Sequence, residues 1–341
     1  MVKDLPFHLD TMRPLRIPGF GTEERICGNG LVPVPLDLLE TSSEEWFERF
    51  QKRVFEAADR REWLPIFRLS DGEFTCMVGR RFPPLPWKIA IESRCRHYYN
   101  SLKRLSPFYS SGRPGYCESY LAWELPGVLG TLAKSLRMIG NDGMLCFNFS
   151  ASELASPYMA TVCRWLDDRG VVVSPKSYFH FYHVYGLLNG PESEKLLEKR
   201  RVLVMTSNIA HRKEALLDAV RARGASDAFF YETSRSRPAF DVIRLAEIPP
   251  RIDLVLIGAG VGAAHILAQL KPLGCPAIDA GFALDCWAEP SLALKRPYCV
   301  PDSQWASVHG TSVPEWCPAK GGVSQCRPAA THSEHVFDRT G

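Results

Sequence analysis

Apolar positions recur every three or four places over residues 43–60, at Phe47, Phe50, Val54 and Ala58. That spacing predicts a helix, and Ser42 with Glu45 supplies a capping box at its start. An apolar strand at 64–69 (LPIFRL) follows and runs out into Ser70-Asp71-Gly72-Glu73. The prolines of RFPPLPW (81–87) forbid regular structure. Helices are expected over about 88–105 and about 120–138. Beyond them, strand-like and helical runs alternate. The strand-like runs are MLCFNF (144–149), VVVS (171–174), RVLVMT (201–206), AFFYE (228–232), DLVLIG (253–258) and PAIDA (276–280). Helical segments at 152–168, 211–223 and 261–271 fall between them. Runs such as VLVMT and LVLIG are apolar on both faces, as expected for central strands of a parallel sheet covered by helices. The alternation predicts an α/β, doubly wound, mostly parallel, Rossmann-like sheet over 41–300. Residues 1–40 are rich in Pro and Gly without periodicity and read as an extended arm, and 301–341 read as a poorly ordered polar tail.

Composition narrows the class. The 341 residues are 45% hydrophobic, enough for a large core, and 23% charged, close to the globular average. The net charge of +3 is spread along the chain. It lacks the clustered Lys and Arg of a nucleic-acid footprint and suits an acidic small ligand such as a nucleotide. The eleven cysteines include no CxxC pair. Cys76, Cys95, Cys146, Cys163 and Cys275 stand singly in apolar stretches and read as buried, reduced thiols, while Cys317 and Cys326 fall in the polar tail. No apolar leader and no transmembrane segment are visible, so a cytoplasmic protein is expected. An oligomer is compatible with all of this.

In a doubly wound sheet, ligands bind beyond the carboxyl ends of the strands. Asp71 and Glu73 lie just past such an end. In extended backbone, residues two apart point to the same side, so both carboxylates could face one cation. Gly72 between them would let a bulky ligand approach the backbone. Carboxylate oxygens suit Mg²⁺ or Mn²⁺, which keep coordination positions open for phosphate oxygens. The plain alternative is an Asp-Gly turn with solvated carboxylates. Arg68 beside the pair could neutralise it or hold a phosphate.

A second stretch carries chemistry. Gly258-Ala259-Gly260-Val261-Gly262-Ala263 follows a strand and opens a helix. Gly258, Gly260 and Ala263 fit the dinucleotide fingerprint, and Asp279 comes where its ribose-binding acid would be. A nicotinamide enzyme or an S-adenosylmethionine-dependent enzyme is therefore an alternative reading. Against it, only one clear strand follows, and small residues also serve a tight strand–helix junction. His180 and His183 could place two imidazoles on one helix face as metal ligands, or be polar members of an aromatic-rich segment, and His332 and His335 repeat the spacing in the tail. Arg235 and Arg237 could bind a phosphate or solvate a loop.

Taken together, the two stretches resemble the GT-D-type glycosyltransferases. That family carries an R-[FY]-G-D-G-E motif at a strand end, read here as Arg68-Leu69-Ser70-Asp71-Gly72-Glu73. Later it has a strand, a small-residue turn, a helix and an AIDxG strand, read here as LVLIGAGVGAAHILAQLKPLG and Ala277-Ile278-Asp279-Ala280-Gly281. The resemblance covers roughly residues 45–290. It implies a metal-dependent transferase that moves a sugar from a nucleotide-sugar donor, commonly a UDP-sugar, to an acceptor hydroxyl. Asp71 and Glu73 would hold Mn²⁺ or Mg²⁺. Arg68, Ser70, Gly72, Gly258, Gly260, Asp279 and Gly281 would border the donor. The chain departs from the motif at Ser70, and Phe282 stands where the family often has a His. Transfer with inversion also needs a base. Asp285 and Glu289 are candidates, and either also reads as an ordinary surface acid.

Overall fold

The computed structural model describes residues 43–69, 120–147, 165–174, 176–190, 192–207 and 210–290, with single positions 73, 76, 77, 95, 99, 102 and 162. Helix α1 (Ser43–Arg60) comes first. Its stripe of Trp46, Phe47, Phe50, Val54, Ala57 and Ala58 is buried, as a one-faced helical repeat requires. Its last turn closes with Glu62 N–H donating to Ala57 O at 2.8 Å, around Arg61 at a φ of 55°.

Seven strands follow. They are β1 (Leu64–Leu69), β2 (Met144–Phe147), β3 (Tyr178–His180), β4 (Arg201–Thr206), β5 (Asp227–Glu232), β6 (Leu254–Gly258) and β7 (Pro276–Asp279). They form one all-parallel sheet in the order β3-β2-β1-β7-β6-β4-β5. Every residue of β1, β6 and β7 is buried, so both faces of the sheet centre are covered. The covering helices are α1, α2 (Leu125–Asp142), α3 (Phe181–Asn189), α4 (Glu192–Leu197), α5 (Lys213–Ala222), α6 (Ala263–Gln269) and α7 (Phe282–Ala288). Helix α2 packs on α6, while α5 packs on α7 and α7 on α3. One apolar cluster runs from Trp46 to Trp287 through all of these layers. This is an α/β, Rossmann-like arrangement, as the alternation predicts. No helix among the described residues is long and apolar enough to cross a membrane.

The structure corrects the sequence reading in several places. Val171–Ser174 forms no strand. A methyl group on Gly140 of α2 would lie 2.4 Å from the Val172 carbonyl oxygen, so this segment runs tight against α2 instead of pairing in the sheet. A turn with Tyr178 N–H on Ser174 O (2.7 Å) then delivers β3 to the edge of β2. The segments expected at 211–223 and 261–271 begin as single 3₁₀ turns, at Ala210–Arg212 and Gly260–Gly262. Cys146 and Cys275 are buried free thiols, with burial pushing Cys275 up to about 12. Cys76, expected reduced, is disulfide-bonded, a pairing that spacing alone does not reveal. Cys95, expected buried, is exposed between Arg94 and Arg96. The arm (1–40), the tail (301–341), Ser42, Cys163, Cys317, Cys326, His332 and His335 lie outside the described residues.

Phe50 docks α1 through ring contacts with Phe179 and His183, at centroid distances of 5.4 Å each. Phe50→Ala is expected to cost about 3–5 kcal/mol by the usual large-to-small penalty, measured by urea unfolding.

Candidate functional site

All seven strands are parallel, so their carboxyl ends share one edge. From β4 the chain moves outward to β5, and from β6 it moves inward to β7. The connections therefore part between β4 and β6, where an open α/β sheet has its crevice. Thr206, the last residue of β4, closes the floor there by donating its hydroxyl to Gly258 O at 2.8 Å.

Two strand pairs further along, between β7 and β1, lies a buried ion pair. Arg68 of β1 is 6% exposed and Asp279 of β7 is 5% exposed. Arg68 Nε donates to the Asp279 main-chain oxygen at 2.7 Å, and Nη2 donates to Oδ1 at 3.3 Å. The Arg68 main-chain N–H donates to Oδ2 at 3.3 Å. The guanidinium also faces two rings of α3, with Cζ 4.6 Å from the Tyr185 centroid and 5.0 Å from that of Phe181. Burial opposes the Arg68 charge, and the adjacent Asp279 carboxylate more than restores it, holding the guanidinium above its ordinary value. Burial drives the Asp279 carboxyl up, and Arg68 pulls against that rise. Each group is the other's reason for staying charged.

Gly281 completes the socket. Its φ of 48° and ψ of −127° suit glycine alone. A Cβ there would lie 1.8 Å from Arg68 Nη2. The neighbouring turn is similarly filled from within. A Cβ on Gly262 would meet the Pro238 carbonyl carbon at 2.4 Å, and one on Gly258 would meet Leu284 at 3.1 Å and Thr206 at 3.3 Å. Packing inside the chain thus accounts for two of the three turn glycines. Asp279, with both carboxylate oxygens on Arg68, is not presented to a ribose. Both facts count against a dinucleotide reading of this turn. Gly260 differs, being exposed at the carboxyl edge with a φ of 51°.

Helix α7 contributes the remaining chemistry. Asp285 is partly buried, and burial pushes its carboxyl from the ordinary 3.8 to about 6, against the pull of Arg212. Arg212 ends the turn after β4 and forms an ion pair with Glu289. Trp287 anchors the helix by donating from Nε1 to Asn189 Oδ1 at 3.0 Å.

Ser70, Asp71 and Gly72 lie outside the described residues. Glu73 is described. It is helical and 4% exposed. The same-side argument for Asp71 and Glu73 assumed extended backbone through Glu73, so it does not carry over. Among the described residues no group of three His, Cys, Asp or Glu side chains gathers as a metal site. His180 ends β3 and His183 lies in α3, so the two do not share a helix face. His183 is buried among Trp46, Phe47, Phe50 and Phe179. Arg237 pairs with Glu124 and borders the Phe240 ring.

The structure thus gathers Arg68, Asp279 and Gly281, with Gly258 next to them, and sets Asp285 on the following helix. Sequence reasoning missed Phe181, Tyr185, Thr206 and Arg212. Phe181 and Tyr185 stand four apart in a sequence of aromatics, which marks a helix face and nothing about a cation lying against it.

Two outcomes are expected. Gly281→Ala displaces Arg68 and strains the backbone, whereas in an Arg68→Met background only the strain remains. A double-mutant cycle in urea unfolding should therefore show non-additivity of at least about 1 kcal/mol, and additive effects would sink the socket. For Asp285, a raised folded pKa means stability is present at low pH and lost as pH rises from about 4 through about 6. Asp285→Asn removes that titration. It should gain on the order of 1–2 kcal/mol over the parent above pH ~6 and nothing at pH ~4, read from unfolding curves at each pH.

Compared with models of known families, with curated proteins and with solved structures, the chain matches none.

Proposed function

We propose that the chain is a metal-dependent glycosyltransferase of GT-D type, taking a sugar from a nucleotide-sugar donor, with UDP as the nucleotide, to an acceptor hydroxyl. One observation carries the reading. The two sequence blocks that resemble that family lie 211 residues apart, and the Arg68–Asp279 contacts join them at the centre of the sheet. Strands β1 and β7, which carry Arg68 and Asp279, both end at the carboxyl edge, where an open α/β sheet takes its ligands.

The parts divide as follows. Glycosyl transfer leaves charge on a departing diphosphate, and groups aimed at those oxygens lower the barrier. Asp71 and Glu73 bring hard carboxylate oxygens, the donor chemistry that Mn²⁺ or Mg²⁺ takes, and would be the residues that hold it. A bound divalent ion would supply charge to the diphosphate. Gly260 and the carboxyl edge around Gly258 and Gly281 would border the donor. Arg68, enclosed by Asp279, Phe181 and Tyr185, is assigned to holding that edge together and not to the donor. Asp285 is the candidate base, since a carboxyl with a pKa of about 6 is mostly ionised at neutrality and accepts a proton better than an ordinary one.

Calorimetric titration of UDP and UDP-glucose tests the reading, with Mn²⁺ and with EDTA, on the parent and on Asp71→Asn. Binding is expected with Mn²⁺, abolished by EDTA and weakened at least about tenfold in the variant, the loss of a charged ligand contact. Absence of binding by either ligand in the presence of Mn²⁺ would rule out a UDP-based donor.

A further inference from the structure

The proposed function leaves one role unfilled. A departing diphosphate calls for a cation in the crevice, and Arg68, the sequence candidate, is 6% exposed with its donors on Asp279. The side chain must come from elsewhere on the carboxyl edge.

Arg212 has the right place. It sits at the end of the 3₁₀ turn that follows β4, and β4 is the sheet neighbour of β6, which the Gly258–Gly262 turn follows. Helix α5 begins at the next residue and packs on α7, which brings Arg212 against the α7 carboxylates. Its ion-pair partner is Glu289, just past the end of α7. Asp285, one turn earlier, is close enough for the Arg212 charge to act on it.

The pair has the character of an exchangeable contact. The Arg212 and Glu289 side chains are 34% and 36% exposed. An ion pair in such contact with water is worth about 0–1 kcal/mol. A diphosphate offers more oxygens and more charge than one carboxylate, and a guanidinium binds them in fork geometry. The Arg68 pair is the opposite case, because a charge buried to that depth cannot change partners without a large desolvation penalty.

We propose that Arg212 is the diphosphate-binding cation of this site, and that Glu289 holds it until phosphate oxygens take its place. The proposal rests on the transferase reading and names a residue that the reading did not supply. It makes Glu289 a competitor of the ligand, so the two partners have effects of opposite sign.

The test is calorimetric titration of inorganic pyrophosphate and of UDP, each with Mg²⁺, into the full chain. The variants are Arg212→Gln, Glu289→Gln and Lys271→Gln, with thermal melts to establish that each is folded. Lys271 pairs with Asp142 and controls for general charge. Arg212→Gln should weaken both ligands about tenfold or more, the value of one charged hydrogen-bonding contact. Glu289→Gln should tighten both several-fold, and Lys271→Gln should change neither. If Arg212→Gln binds like the parent, the Arg212 assignment falls and the transferase reading stands. If Glu289→Gln weakens binding as Arg212→Gln does, the pair is a structural brace and the exchange is wrong. A parent that binds neither probe overturns both the assignment and the reading beneath it.

Discussion

A charged side chain in the middle of a parallel sheet is the constraint around which this site is organised. Arg68 occupies a position of β1 at which every neighbour on the strand is apolar and buried. Left alone, a guanidinium there would cost several kcal/mol in lost hydration. Asp279 removes that cost only by standing next to it on β7, through side chain and main chain together. The consequences spread outward. Strands β1 and β7 must be neighbours in a fixed register, with Ile66 opposite Ile278. Helix α3 must present Phe181 and Tyr185 to the cation. The chain leaving β7 must pass Arg68 without a side chain, and Gly281 follows from that.

Such a pair is a poor source of net stability and a good source of uniqueness. A well-packed apolar pair would hold β1 to β7 at least as well. It would tolerate a slipped register, whereas a buried ion pair with three directional contacts does not. The pair thus accounts for how the carboxyl end of β1, from which Asp71 and Glu73 continue, is fixed relative to the β6 turn and to α7. It also separates two kinds of arginine on this edge. Arg68 is enclosed and committed. Arg212 is about one-third exposed and paired with a carboxylate that water already screens.

How much of this was legible in the sequence follows from which signals are local. Largely apolar runs with no polar alternation gave β1, β4 and β6 to the residue or nearly so, as burial on both faces of the sheet leads one to expect. The amphipathic repeat gave α1 at both ends. Val171–Ser174 looked like a strand because β-branched residues suit burial of any kind, and only the close approach of Gly140 to Val172 decides otherwise. β3 was hidden in YFH, three residues too short to show a period. Within the site, Arg68, Asp279 and Gly281 were singled out by motif, but their relation was not, since nothing local records a contact across 211 residues. The structure places them beside one another. Arg212 was missed because it stands among ordinary surface charges in HRKEA, and its situation depends on α7, some seventy residues on.

The glycine turn after β6 has reasons within the chain for most of its small residues. In a dinucleotide fold the motif opens the first βαβ unit, and its glycines make room for a pyrophosphate. Here β6 is next to last in the chain and lies between β4 and β7. The room made by Gly258 is taken by Leu284 and Thr206, and that made by Gly262 by Pro238. The acid that would hold a ribose holds an arginine. Small residues are required at any junction where a strand, a helix and two other segments converge within van der Waals reach, and a sheet with its helices packed this closely produces such junctions on steric grounds alone. What a ligand could still use is the part that packing leaves open: Gly260 at the rim, the carboxyl edge beside it, and the charged groups of α7 and of the turn after β4.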